Sequence, residues 1–359
     1  MSVPTLFEPV TFRSVTARNR VAVSPMCQYS AVDGLGSDWH IQNLGAKAAG
    51  GAGIVFTEAT HVSAVGRITP GCLGLWNDQH QALLKRLADI ITLCGAVPGI
   101  QIAHAGRKAS SQVPWKGGRP TAPDAGGWVP LAPSPIPFVA GATDPTMLAP
   151  SGIAGIIGQF AATARMAREA GFKIVELHGA HGYLLHSFLS PISNHRNDSY
   201  GGDLEGRSRF LMETIDAVRA EWPAELPLFV RLSCVDYMAG GLTIEDTVAL
   251  CGELAARGDV DLIDCSSGGV SPDARIPSLH AGYQVSFADA VKHGANIATG
   301  AMGLITEPTH AAEIIGNGRA DIVLLARAVL ADPGWPLRAA KALGAKPPLL
   351  DQYLRATIA

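Results

Sequence analysis

The stretch FKIVELHGAHGYLLHSF, residues 172–188, joins an apolar run to a cluster of histidines. Its first half places Ile174, Val175 and Leu177 around a single carboxylate, Glu176. A strand covered on both faces reads as such a near-continuous run. The second half carries His178, His181, Tyr183 and His186, where a strand would give way to a loop. Fold and chemistry both turn on how many similar runs the chain holds and on the residues at the end of each.

Seven more runs share the pattern: 19–26, 53–60, 98–105, 226–233, 260–267, 295–302 and 320–327. Between them lie helical patterns, clearest over 77–94, 151–170, 203–221, 243–257 and 308–316, with Asn77, Ser151, Asp203 and Thr243 as candidate N-caps. Eight such repeats predict an α/β fold, a (β/α)8 barrel forming one domain over residues 1–359, with an open doubly wound sheet as the alternative. Residues 107–150 hold nine prolines and no period. So long an excursion after the third strand is expected to be a lid or binding loop. The tail 346–359 places Tyr353 and Arg355 close to the end.

The net charge is −3 and basic tracts are absent, which argues against nucleic acid and anionic membrane as partners. The chain has no apolar run of membrane-spanning length and no signal segment, so a cytoplasmic location is expected. The six cysteines, Cys27, Cys72, Cys94, Cys234, Cys251 and Cys265, form no C-x-x-C pair and read as reduced thiols.

Barrel chemistry gathers at the C-terminal ends of strands. The polar residues falling there are Cys27 and Tyr29 after the first run, Glu58 and Thr60 after the second, Gln101, His104 and Lys108 at the third, and Glu176, His178, His181 and Tyr183 at the fourth. Arg231 follows on the fifth, Gly300 and Gly303 on the seventh, and Ala326 and Arg327 on the eighth. Four histidines between 178 and 195 raise the question of a metal. Lys108, Arg231 and Arg327 suit an anion better than a dication, so no metal is predicted. Gly300, Gly303 and Arg327 fit the common barrel phosphate seat. The Gln101 amide can pair with an imide-like edge, and Arg231 and Lys108 can steady negative charge. Phosphate, imide and anionic locus together describe a reduced flavin mononucleotide.

NRVAVSPMCQYS, GIQIAHAGRKA, ELHGAHGYLLHSFLSPISNHR, DSYGG and the closing QYLR resemble motifs of the Old Yellow Enzyme family of FMN-dependent ene-reductases, over nearly the whole chain. PMCQY and QYLR resemble the subgroup of xenobiotic reductase A and its Bacillus relatives. The resemblance implies FMN held by Ser24, Pro25, Met26, Cys27, Ala59, Gln101, Arg231, Gly300, Gly303, Ala326 and Arg327. It implies His178 and His181 as the pair holding a substrate carbonyl, Tyr183 as proton donor and Cys27 as the residue tuning the flavin. Tyr29 and Lys108 become substrate contacts. Arg355 resembles an arginine reaching a neighbouring subunit's site, which implies a homodimer or homotetramer.

The implied reaction is ping-pong. NADPH or NADH reduces the flavin, and an enone or enal then accepts hydride from flavin N5 and a proton from Tyr183. A dihydroorotate-type FMN dehydrogenase and a metal-assisted hydrolase are the alternatives. The chain departs from the family pattern at Asp203, Gly206 and Ala326, where the methyl must clear the phosphate. His40, His104 and His186 are expected to be structural.

Overall fold

The computed structural model describes residues 5–356. Eight strands form the wall: β1 Val21–Val23, β2 Ile54–Phe56, β3 Val97–Ala103, β4 Ile174–Gly179, β5 Leu228–Ser233, β6 Leu262–Ser266, β7 Thr299–Ala301 and β8 Ile322–Leu325. Each pairs in parallel with the next, and β8 pairs with β1, so the sheet closes into a (β/α)8 barrel rather than an open sheet. Most strands are shorter than the sequence runs; at the first, Ser24 N still bonds Leu325 O at 2.9 Å and the chain then leaves the ladder to build the rim.

Alternation along the strands sorts the interior into levels. The lower level is apolar, with Ile54, Phe56, Ile174, Phe229, Leu262 and Ile322 in one cluster. An antiparallel hairpin, Val10–Phe12 with Val15–Ala17, plugs it from below, and the Phe12 ring meets Phe229 edge-on at 5.0 Å. Two residues further along the strands the interior turns polar, with Glu176, Arg231 and Asp264 all buried. Two residues beyond those, His178, Ser233 and Ser266 begin the rim.

The helices start where their caps dictate. Asn77 Oδ1 accepts from His80 N at 2.9 Å, Asp203 Oδ1 from Gly206 N at 2.9 Å, and Thr243 Oγ1 from Asp246 N at 3.3 Å. Ser151 is not a cap. That helix runs Pro150–Glu169 with Ala149 at its N-cap, because proline at the first helical position needs no N–H partner. Gly206 has no room for a side chain, since a Cβ there would lie 2.1 Å from the Gly201 carbonyl oxygen.

The proline-rich excursion contains only short 3-10 turns, at Gly106–Lys108, Pro114–Lys116 and Pro123–Ala125, and a two-residue parallel pairing of Leu131–Ala132 with Thr146–Met147. Many of its backbone groups bond within the excursion, as Gln112 N does to Arg119 O and Thr121 N to Ser110 O, and side chains tie it to the barrel. Arg196 gives its guanidinium to the carbonyls of Pro133 (3.1 Å) and Leu148 (2.6 Å), and Trp128 Nε1 donates to Val65 O at 2.8 Å.

Candidate active site

Strand β4 ends at Gly179, and the next residues turn sharply. His181 adopts φ +59, a strained value for a side chain of its size. Gly182 follows at φ +72, and a Cβ there would stand 2.2 Å from the Gly269 carbonyl oxygen. The loops after β4 and β6 therefore touch. Lys108 staples them, its ammonium donating to His181 O at 2.9 Å and Gly269 O at 3.1 Å.

This turn brings three rings together. His178 and His181 are 5.1 Å apart, His178 and Tyr183 4.9 Å, and His181 and Tyr183 6.4 Å, each pair edge to face. Burial, reinforced by the Arg231 charge, holds both imidazoles well below their ordinary value, so they are neutral. Burial pushes the Tyr183 phenol well above its ordinary value, so it keeps its proton. His178 Nδ1 accepts from Ala180 N at 3.3 Å, which leaves the ring proton on Nε2. His181 Nε2 lies 2.7 Å from Ser266 Oγ, and that hydroxyl also accepts from Gln284 Nε2 at 3.2 Å.

His186 does not join them. It is fully buried, its Nδ1 accepts from Gly182 N at 2.7 Å, and its Nε2 faces Asp236 Oδ1 at 3.0 Å. His104 is likewise buried, with Nδ1 accepting from Gly106 N at 3.0 Å. Among the described residues no three His, Cys, Asp or Glu side chains gather as metal ligands would.

Beside the histidines opens a cavity of about 210 Å³, lined by Ser24, His181, Arg231, Gly303, Ala326 and Arg327 among others. Its floor is charged. Arg231 donates to Ser24 Oγ at 3.3 Å and to Met302 Sδ at 2.9 Å, with Nε 3.3 Å from Asp264 Oδ2. Gln101 Nε2 donates to Glu176 Oε1 at 2.8 Å. Glu176 and Asp264 share this dry layer with one arginine. Burial and mutual repulsion raise Glu176 well above the carboxylate range, and burial raises Asp264 to about 6. Asp264 is a residue of this floor that strand-end position does not single out. The signal for it is a carboxylate inside the otherwise apolar run VDLIDCSS, which only a polar barrel interior tolerates.

The other sequence-derived residues divide. Gly303 and Ala326 line the cavity, and Arg327 lies exposed beside them with no ion pair among the described residues. Gly300 does not line it. It sits inside β7, paired with Asp264 and Ile322 and buried against Leu324. Cys27 and Tyr29 are half-buried and pack with Tyr183, Cys72 and Ala105. Ala59 is buried and offers its backbone to the Cys27 thiol. Lys108 stands over the Tyr183 ring at 5.3 Å and the Phe138 ring at 4.4 Å. A second cavity, of about 170 Å³, continues from Tyr29 and Lys108 under the excursion to Phe138. Arg355 is exposed just after a short turn, Asp351–Tyr353, and among the described residues no hydrogen bond or ion pair brings it to the rim.

The donor set fits FMN. The free guanidinium of Arg327 beside Gly303 and Ala326 would take the phosphate. Arg231 and the Gln101 amide, in the polar layer of the floor, would take the ring. A parallel barrel with this cavity and histidine pair at its C-terminal rim defines a flavin-dependent oxidoreductase. The NADH:flavin oxidoreductase / NADH oxidase family matches residues 5–346, and the chain belongs to it, as the resemblance to the FMN-binding Old Yellow Enzymes implied. It is 47% identical over 352 residues to an NADPH dehydrogenase of Geobacillus sp. strain WCH70, and 43% identical over 353 residues to one of Listeria innocua, with 98% of each chain covered in both cases. Among solved structures, morphinone reductase superposes with a TM-score of 0.79 at 26% identity, covering 96% of this chain and 91% of that one. A 2-naphthoyl-CoA reductase gives 0.84 at 28% identity. Ninety-five per cent of this chain is covered there, but it spans only 52% of that longer protein.

Proposed function

We propose that the enzyme is an NADPH-dependent ene-reductase, which reduces the C=C bond of α,β-unsaturated carbonyl compounds. The observation that carries this reading is the neutral His178–His181 pair with protonated Tyr183 beside it. FMN, held by Arg327, Arg231 and Gln101, would supply the hydride chemistry, with NADPH as the reductant.

The chain's own groups do the rest. His178 donates through Nε2. The Ser266 hydroxyl, already accepting from Gln284, gives its proton to His181 Nε2 and leaves the His181 proton on Nδ1. Two neutral N–H donors then converge on one carbonyl oxygen, draw density from the β-carbon and stabilise the developing enolate. Tyr183 delivers its proton to the α-carbon. Tyr29 and Lys108 border the substrate, and the apolar passage under the excursion admits it. The NADPH dehydrogenase names of the relatives support NADPH as the donor. A dihydroorotate-type reaction would place a carboxylate-binding group and a base where the two neutral histidines and the tyrosine stand.

The deciding experiment is anaerobic. NADPH should bleach the bound flavin, and 2-cyclohexenone should then restore its colour with formation of cyclohexanone. Bleaching by NADPH without reoxidation by any enone would overturn the ene-reductase reading.

A further inference from the structure

The segment Ser24–Tyr29 crosses from β1 to the rim and carries both Cys27 and Tyr29. Tyr29 sits at φ +51, a costly conformation for an aromatic residue that must be held by its surroundings. Hydrogen bonds of fixed direction hold it. Gln28 N lies between the two side chains and donates to Glu58 Oε2 at 3.1 Å. A backbone N–H can only donate, so Glu58 accepts there. Glu58 Oε1 lies 3.1 Å from His40 Nε2 in an oblique contact. His40 Nδ1 in turn accepts from Ser37 N at 3.0 Å, again a backbone donor, so the ring proton is on Nε2 and faces the carboxylate. Glu58 and His40 are both almost completely buried, at 3% and 2% exposure. The neighbouring Trp39 adds a second tie: its Nε1 donates to Gln28 Oε1 at 3.1 Å, and Gln28 Nε2 donates to Met26 O at 2.9 Å. The start of the first helix, Asp38–Ala49, thus grips the loop through two consecutive residues.

We propose that Glu58 and His40 are positioning residues, which fix the backbone between Cys27 and Tyr29 and so set where the sulfur meets the cofactor and the ring meets the substrate. The inference rests on the proposed function, in which Cys27 faces FMN and Tyr29 the substrate. A buried carboxylate is otherwise expensive, and here its position between a backbone N–H and an imidazole N–H is the compensation. Its charge also reaches Cys27. Burial, then Cys72, then Glu58 push that thiol up, so it meets the flavin as a neutral S–H donor.

Two substitutions separate charge from position. Glu58→Gln keeps an acceptor for Gln28 N–H, removes the charge and sets its amide NH2 against the His40 Nε2 proton, whereas Glu58→Ala removes every contact. In the holoenzyme, E58Q is expected to make the midpoint potential of bound FMN more positive, with the KM for 2-cyclohexenone near that of the wild type. In a Cys27→Ala background, less than half of that potential shift should remain, because the effect runs through the sulfur. E58A is expected to raise the KM by on the order of tenfold with a smaller change in kcat, as Tyr29 loses its anchor. An E58A enzyme with wild-type KM overturns the positioning role, and an unshifted potential in E58Q, or a shift undiminished in the Cys27→Ala background, overturns the reach of the Glu58 charge to Cys27. If E58A does not fold, His40→Ala decides: it should raise the KM severalfold, and a wild-type KM there overturns the positioning role. A wild-type enzyme that reduces no enone would instead sink the ene-reductase reading, and the potential measurements would test Glu58 regardless.

Discussion

The Tyr183 ring stands edge-on to His178 with centroids 4.9 Å apart and planes at 87°, so the phenol and the imidazole address the same volume from different sides. The phenol is buried beside Cys27 and Tyr29 and stays protonated throughout the useful pH range. Tyr183→Phe removes the proton without disturbing the packing. Stopped-flow measurement should show the oxidative half-reaction with 2-cyclohexenone slowed by about 10²–10⁴-fold. Flavin reduction by NADPH should stay within about twofold of wild type, since that step needs no proton donor at this position. Equal slowing of both half-reactions would remove Tyr183 from the protonation step.

The Ser266–Gln284 pair gives a second prediction, about a tautomer. Ser266→Ala leaves His181 Nε2 without its 2.7 Å partner, and the neutral ring then divides its proton between the two nitrogens. Oxidative turnover should fall by roughly tenfold, against on the order of a hundredfold for His181→Ala, which deletes the donor outright. Ring ¹⁵N shifts in labelled protein report the tautomer directly. A His181 proton found on Nε2 in the wild type would reverse the assignment.

Much of this was legible in the chain, for a physical reason. β4 is covered on both faces, so its apolar run, its end and the histidines beyond it follow from local pattern alone. The same holds for the caps at Asn77, Asp203 and Thr243. Long-range closure was not legible. Ser266 reaches His181 across 85 residues of sequence, and Lys108 reaches the Gly269 carbonyl across 161. Glycine spacing likewise could not tell that Gly300 faces Leu324 in the wall while Gly303 opens on the cavity. Residue type makes Lys108 a group that steadies negative charge, and the family resemblance makes it a substrate contact. In the fold its ammonium is committed to two carbonyls and to the Tyr183 face.

That commitment gives a pH prediction. Burial, with the Arg107 charge adding to it, pulls Lys108 down to about 8 from an ordinary 10.5. Above about pH 8 the amine loses its charge and the staple between the His181 and Gly269 carbonyls weakens. Enone kcat/KM should therefore fall with an apparent pKa near 8, and Lys108→Met should be slower but flat over the same range. Unfolding is not the cause. The unfolded chain binds more protons than the folded one between about 8 and 10.5, so this group's contribution to stability grows with pH over that window and is lost as pH falls through about 8. Thermal melts over the same range separate the two effects. A kcat/KM fall of equal size and midpoint in Lys108→Met would assign it to another group.

Tyr353 and Leu354 are 46% and 65% exposed, and Arg355 follows them, exposed and with no ion pair among the described residues. We propose that a second copy of the chain covers this end, where two large side chains stand exposed beside a cation with no ion pair among the described residues. If Arg355 serves the neighbour's substrate, Arg355→Ala should raise the enone KM severalfold while flavin reduction by NADPH keeps its rate, since the loss is one of binding. Complementation makes the test sharp. Co-express Arg355→Ala with Tyr183→Phe and purify the mixed assembly through two different tags. In a mixed dimer, one site then combines an intact Tyr183 with the partner's intact arginine, and about half of the wild-type activity per dimer should return at low enone concentration. Were Arg355 to act within its own subunit, every site of the mixed dimer would lack one of the two groups, and activity at low enone would stay at the level of the Arg355→Ala sites alone.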